Sequence, residues 1–448
     1  MTRLGETRLL ELAEAAISID GVDLAEALVL RSAEGLTRFA DNRIHQATAS
    51  EDLEIRVRVV VEGNRVGVAS SHDVSVAGAH DAAVRARAVA VAMPPDPDFA
   101  GMPGPAGYPD AGRYDEATAA ASPAERADLV AGLVHRLPEG VTAAGALSTG
   151  ESEIAIANSL GVRGSSATTS ASLSVLADAG TGTGWAERVG PTLSGLPIDL
   201  LSERAAEKAL AARDPRDVEP GTYPVVLEPS ATATMLEFLA YLGFGAKPYD
   251  EGRSFLNGRL GTRVCSPLVT MYDDALAPDA IGARFDFEGV PKRRVTLIDK
   301  GEAGTLLYDW RSARRHGTAP TGHGLPQPSS EGAFPLHLGM EAGEASREDL
   351  LAGIDRGLLV TRFHYTNVVH PMETSITGMT RDGTFWVEDG KIVGGVKNLR
   401  FTQSILGALA GVRAISADTE LIGEDSFGTT RAPALAIDGF NFSSATTF

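Results

Sequence analysis

The chain has 448 residues, 43% of them hydrophobic, a formal net charge of -19 at neutral pH and a pI near 4.9. Such a length asks for two or three domains, and the acidic balance repels phosphate backbones, which argues against nucleic acid as a partner. A single cysteine, Cys265, excludes a disulfide framework and a thiolate metal cluster.

The N-terminus passes straight into an amphipathic pattern without the apolar region of a signal peptide. No apolar run approaches the roughly 18 residues that span a bilayer. The expectation is a soluble, cytoplasmic protein with no membrane partner. The densest basic spot, Arg311, Arg314 and Arg315, fits a solvated helix face.

Leu9, Leu10, Leu12, Ala13, Ala16 and Ile17 form an apolar stripe that predicts a helix over 4–18. Strands follow at 27–32, at 36–40 after a turn at Gly35, at 43–48, and from Leu53 to Val61, where apolar and charged residues alternate at first. Glu62-Gly63-Asn64 makes a hairpin turn, 65–69 returns, and Asp73 is placed to cap a long helix ending at Met93. Prolines and glycines through 94–113 predict a linker or covering loop. Ser122-Pro123-Ala124-Glu125 carries the signature of a capping box, with a helix ending before Pro138. Strands are expected at 141–147, 151–158 and 165–177, then a glycine-rich loop at 181–184 and an alanine-rich helix at 200–212. That loop lacks a following Lys-Ser/Thr, so it is expected to be a flexible or covering segment, not a phosphate cradle.

Val225 to Leu227 predicts a buried strand feeding a helix, with Ser230 as its N-cap and Gly243 as its stop. Strands are expected next at 264–271, 294–299 and 305–308, with Pro267 placing the first at a sheet edge. A long loop covers 317–345, and further strands are expected at 357–365, 384–388 and 392–399, the last two joined by the turn Glu388-Asp389-Gly390-Lys391. The expected fold class is α+β: an N-terminal antiparallel sheet with helices (1–93), a linker (94–113), a middle α/β domain (114–213) and an antiparallel, barrel-like or sandwich β-rich domain (214–448).

The candidate chemistry is sparse. No histidine lies between His135 and His316, so the strand–helix unit at 224–245 cannot alone supply a zinc ligand set. His364 and His370 are the tempting metal pair, but six extended residues cover about 20 Å, while two ligands of one zinc lie about 3 to 3.5 Å apart. They are expected to be ordinary surface or core histidines. Ser254, Cys265 and Ser312 have no base nearby in sequence. Asp286 and Glu288 alternate with Phe285 and Phe287 and would share one face of an extended run. They could work as an acid/base pair or bind a cation. The favoured reading has them holding a loop by accepting from backbone or from arginines such as Arg253, because Gly289 and Pro291 turn the chain at once.

Several segments together carry a family likeness: 253–264 (Arg-Ser-Phe-Leu-Asn-Gly-Arg-Leu-Gly-Thr-Arg-Val), Tyr272-Asp-Asp, 285–291 (Phe-Asp-Phe-Glu-Gly-Val-Pro), 297–301 (Leu-Ile-Asp-Lys-Gly) and Leu307-Tyr308, with 37–46 and 56–67 near the start. In these the chain resembles the TldD/TldE (PmbA) family over nearly its whole length. The resemblance implies a heterodimer in which the TldD subunit is a zinc peptidase with a His-Glu-x-x-x-His helix and a later cysteine, while TldE lacks both. Here the matching helix reads Met-Leu-Glu-Phe-Leu-Ala-Tyr-Leu over 235–242, and 363–383 holds no cysteine. By resemblance, then, this is a TldE-like subunit with no catalytic residue, no metal ligand and no cofactor of its own. Zinc is expected in a TldD-like partner, and the substrate is a peptide or unfolded protein. Glu237, Phe238, Tyr241, Arg253, Ser254, Asp286, Glu288 and Gly289 are the structural or chamber-lining candidates. Two other readings stay open: a pair repurposed for peptide or small-molecule biosynthetic processing, and a binding protein that modulates a larger target such as DNA gyrase.

Overall fold

The computed structural model describes residues 3–110, 113–423 and 428–446. Two sheets organise them. The first is antiparallel with six strands in the order Arg65–Ser71, Arg43–Val61, Leu24–Ala40, Thr142–Asn158, Arg163–Asp178 and Thr183–Gly190. Helices Gly5–Ile17 and Val76–Ala92 bury alanine and leucine on one half of a face, and Pro123–His135 with Ile198–Ala211 cover the other half. The opposite face meets the C-terminal region through Leu28, Ile156 and Val162, which pack on Phe285.

These strands are longer than their hydrophobic pattern suggested. Leu24–Ala40 runs unbroken through Gly35, which pairs with both Ala49 and Thr149. Gly35 is no turn: a Cβ there would lie 2.4 Å from the Arg126 guanidinium, which donates to Thr149 Oγ1 at 2.9 Å. The glycine makes room for a buried arginine. Likewise 43–48 and 53–61 are one strand, and so are 141–147 and 151–158. The expected loop at 181–184 is a tight hairpin turn, and Gly184 belongs to a strand. A Cβ on Gly184 would strike the Ala205 carbonyl at 2.1 Å, so this glycine lets helix Ile198–Ala211 settle on the sheet. Helix Val76–Ala92 is capped by Ser75, whose side chain accepts from Gly78, not by Asp73, which accepts from the Ser75 amide. The capping box at Ser122 and Glu125 forms as the sequence indicated.

The segment at 94–110 holds no regular element and straps the two regions together; Ala111 and Gly112 of the expected linker lie outside the described residues. Trp310 Nε1 donates to Ala100 O and Asn158 Nδ2 to Pro103 O.

The second sheet has eleven strands and is mixed, since Gly221–Leu227 lies parallel to Arg356–His370, and His337–Met340 parallel to Thr429–Ala445. Five of its strands close into a ring: Gly221–Leu227, Arg356–His370, Ser375–Glu388, Leu399–Ser404 and Thr429–Ala445, which pairs back with the first. This is the barrel-like C-terminal architecture that the fold class anticipated. The expected strand at 264–271 is mostly irregular; only Met271–Asp273 is a strand. Val269 is fully buried, but backbone amides in this stretch bond to loop carbonyls, Val264 to Gly301 and Ser266 to Leu409. Apolar burial there required no ladder. At 305–308 there is one bridge, Leu307 to Gly245, instead of a strand. The loop expected over 317–345 contains the strand His337–Met340.

Candidate functional site

Strand Gly221–Leu227 leads into helix Pro229–Tyr241 as the sequence predicts, with Val225, Leu227, Met235, Leu236 and Leu239 at zero exposure. The N-cap position is Glu228, not Ser230, which is the second residue of the helix. Pro229 at the first helical position sets that boundary, because its ring fixes φ and its missing N–H is not needed there. The Glu228 carboxylate is buried beside Lys208 and Arg347. Burial would raise its pKa, but those two cations outweigh it and hold the group below the usual carboxylate range.

The outer side of this helix presents Glu237, Phe238 and Tyr241 to a cleft of about 900 Å³. The facing wall is the Arg356–His370 strand from Arg362 to Val368, with Glu187, Arg381 and Ile422 at the margins. Parallel pairing with Gly221–Leu227 covers only Leu358 to Val360, because the chain turns into the helix at Pro229. Beyond Val360 the strand bonds to Ser375–Glu388 on one side, and among the described residues no strand pairs with its other side. A bulge falls between His364 and Asn367. There Tyr365 takes φ 51° and stands 75% exposed, its ring 4.7 Å from that of His364. Arg362 is fixed by Asp382 through Nε at 2.9 Å and Nη2 at 2.6 Å, and its guanidinium lies 3.7 Å over Trp185. A second cleft of about 470 Å³, around Lys208 and Glu228, shares Glu187 and Ser230 with the first.

The cleft therefore brings together Glu237, Phe238 and Tyr241 with His364. His370 sits at the far end of the same strand, exposed and paired with Ser375. Among the described residues no group of three or more His, Cys, Asp or Glu side chains is close enough to hold a metal ion. The described residues alone do not make a zinc ligand set.

The other candidates lie elsewhere. Ser254 is fully buried, donates to Gly243 O at 2.6 Å and accepts from the Leu256 amide, so it latches the loop after the helix. Burial pushes the Cys265 thiol up to about 12, which leaves no thiolate. Ser312 and Asp309 form the reciprocal cap of helix Trp310–His316. Arg253 pairs with Glu251 at the surface and not with the 284–291 run.

That run is not extended. Phe285 bridges Pro291, the Asp286 amide donates to Val290 O, and Gly289 takes φ 80°. Asp286 and Glu288 consequently have separate tasks. Asp286 accepts from the amides of Glu288, Val290 and Gly324 at 2.9, 2.9 and 2.7 Å. Glu288 accepts from the Trp310 amide at 2.8 Å. Burial, and then the neighbouring Asp286 charge, raise the Glu288 pKa well above the usual range. Tyr108 closes the turn from outside, its hydroxyl on Gly289 O at 3.1 Å and its ring 4.8 Å from Phe285. These carboxylates hold a loop, the favoured of the two sequence readings.

One buried pair escaped the sequence reading. His323 Nε2 lies 2.9 Å from Asp273 Oδ1, both side chains at zero exposure, and Asp273 Oδ2 accepts from the His337 amide at 2.7 Å. Burial would raise Asp273, but His323 and Lys292 hold it below its ordinary value. Asp273 was visible within Tyr272-Asp-Asp; His323 lay in a Gly/Pro-rich stretch with no local pattern.

Comparison with known proteins covers the whole of this architecture. Models of the PmbA/TldA metallopeptidase match as domain 1 over residues 25–90, the central domain over 111–213 and the C-terminal domain over 220–444. A metalloprotease TldD homolog from Buchnera aphidicola is 25% identical over 232 residues, 50% of this chain and 47% of that protein. A metalloprotease from Methanothermobacter thermautotrophicus is 24% identical over 228 residues, 50% of this chain and 49% of its own. The chain thus spans about half the length of the relatives it matches. Among solved structures, TldE from Thermococcus kodakarensis superposes with a TM-score of 0.86 at 21% identity, covering 97% of this chain and 99% of that one. A putative modulator of a DNA gyrase from Thermotoga maritima gives 0.83 at 22% identity, covering 97% and 98%. At those identities the two structures establish the shared fold.

Proposed function

Since this chain belongs to the PmbA/TldA metallopeptidase family, we propose that it is the metal-free subunit of a heterodimeric peptidase, with zinc held by a TldD-like partner. The observation that carries this reading is that, among the described residues, no strand pairs with the side of Arg356–His370 beyond Val360 that borders the cleft under helix Pro229–Tyr241. Such an edge offers main-chain donors and acceptors to an extended peptide, and adjoining pockets take its alternate side chains. Phe238 and Tyr241 supply apolar surface beside that edge, and Arg362 is held rigid by Asp382. Among the described residues the cleft offers too few donors for a metal of its own. In the assembled pair this subunit aligns the peptide and excludes bulk water, while zinc in the partner would supply the Lewis acid for hydrolysis.

The test is co-expression with a TldD-like chain carrying a His-Glu-x-x-x-His helix. The expected result is a one-to-one complex that cleaves unfolded protein, while this chain purified alone cleaves nothing and carries no stoichiometric zinc by elemental analysis. One tightly bound zinc per chain, or cleavage by the chain alone, would falsify the proposal.

A further inference from the structure

A cavity of about 480 Å³ lies between the six-stranded sheet and the C-terminal region, distinct from the cleft under helix Pro229–Tyr241. Strand register fixes its floor: Leu30 is opposite Ile154, and Ile154 is opposite Ser166, so these three share one face of the sheet, with Ser152 and Thr168 beside them. Phe285 and Phe287 line it from the C-terminal side, with Lys292 and His337. Its size is ordinary for a small-ligand site.

The polar groups around it are unevenly satisfied. Both oxygens of Asp286 are taken up by backbone amides, and Glu54 accepts from Ser70. The Lys292 side chain, on a residue 6% exposed, makes no hydrogen bond or close ion pair among the described residues, although its charge acts on Asp273 and Asp286. Among the described residues, Ser166 Oγ and His337 Nδ1 are buried without a partner. His337 Nε2 faces the Ile281 carbonyl at 3.3 Å, which can only accept, so the ring proton sits on Nε2 and Nδ1 keeps its lone pair. Burial lowers the pKa of this imidazole to about 4, so the ring is neutral at physiological pH. Unmet capacity of this kind costs free energy unless something supplies the missing bonds.

From this inventory we infer that the cavity binds a short, uncharged stretch of peptide with an apolar side chain. Peptide carbonyls match the Lys292 ammonium and the Ser166 hydroxyl, a peptide N–H matches His337 Nδ1, and the side chain packs on Phe285 and Phe287. A free carboxylate fits less well, because the acidic side chains Asp52, Glu54, Glu153 and Asp286 outnumber Arg31 and Lys292 in the lining. The inference rests on the peptide-handling reading above and adds to it a second contact point, remote from the open strand edge. It needs neither partner nor metal, so it can fail while that reading stands.

The experiment is calorimetric titration of the full chain alone with N-acetyl-Leu-Phe-amide and with the corresponding free acid. Saturable binding of the amide is expected, with the acid about threefold weaker at low salt and the gap closing as salt is added. Lys292→Met should weaken amide binding about tenfold and Ser166→Ala about threefold. Circular dichroism of each variant checks that it is folded, and the amide/acid contrast on the unaltered chain needs no variant. Absence of saturable amide binding, an acid that binds as tightly at low salt, or folded Lys292→Met and Ser166→Ala variants that bind normally would each overturn the inference.

Discussion

The turn at 285–291 and the cleft under helix Pro229–Tyr241 use similar residue types to opposite ends. In the turn, Asp286 and Glu288 are both 2% exposed, and the Asp286 oxygens are taken up by backbone amides. In the cleft, Tyr241 is 53% exposed beside a strand side that no described strand pairs with. A fully satisfied buried carboxylate is committed to stability; a half-open aromatic wall is committed to something that arrives later.

The sharpest way to break this comparison is Asp286→Ala. Three buried amides would lose their acceptor, and chemical denaturation should show a loss of about 3–5 kcal/mol. Gly289→Ala comes next. A Cβ there would stand 2.7 Å from Val162 at a φ of 80°, so a loss of about 1–3 kcal/mol is expected.

Glu288 adds a pH signature. A carboxyl whose folded pKa lies above its unfolded value binds the proton more tightly when folded. Its contribution to stability is then greatest at acid pH and falls as pH rises from about 4.3 through the folded value. Glu288→Gln keeps an acceptor for the Trp310 amide and should flatten that fall in denaturation curves measured across neutral pH. An unchanged slope would show that Glu288 is charged in the folded protein.

The smallest stability effect belongs to the cleft. Tyr241→Ala should change unfolding free energy by less than about 0.5 kcal/mol, yet lower peptide cleavage by the assembled pair about three- to tenfold. If Tyr241→Ala destabilises as strongly as Asp286→Ala, the contrast between the two regions fails.

Legibility in the sequence followed the range of the interaction. The capping box at Ser122 and Glu125 closes over three residues and was plain. So was the turn at Asp389 and Gly390, whose φ values of 49° and 74° suit those residues. Glu237, Phe238 and Tyr241 could be placed on one helix, but that they face His364 depends on a strand more than a hundred residues later. Ser230 was misplaced as a cap because Pro229 competes for the same boundary, and Gly35 was misjudged because its partner, Arg126, is distant in the chain.

What the amino-acid order determined by itself was the set of local devices: the helix stripes, the hairpin turns and the absence of ligand histidines from the 229–241 helix. These depend on sterics and hydrogen bonds spanning a few residues. Only the tertiary structure decided the five-strand ring, the irregular path at 264–270, the Asp273–His323 pair formed across 50 positions and the cavity around Lys292. Burial of apolar surface is non-directional, so it marks a residue as interior without naming its neighbour; the neighbour is chosen by which distant backbone and polar groups can be satisfied together.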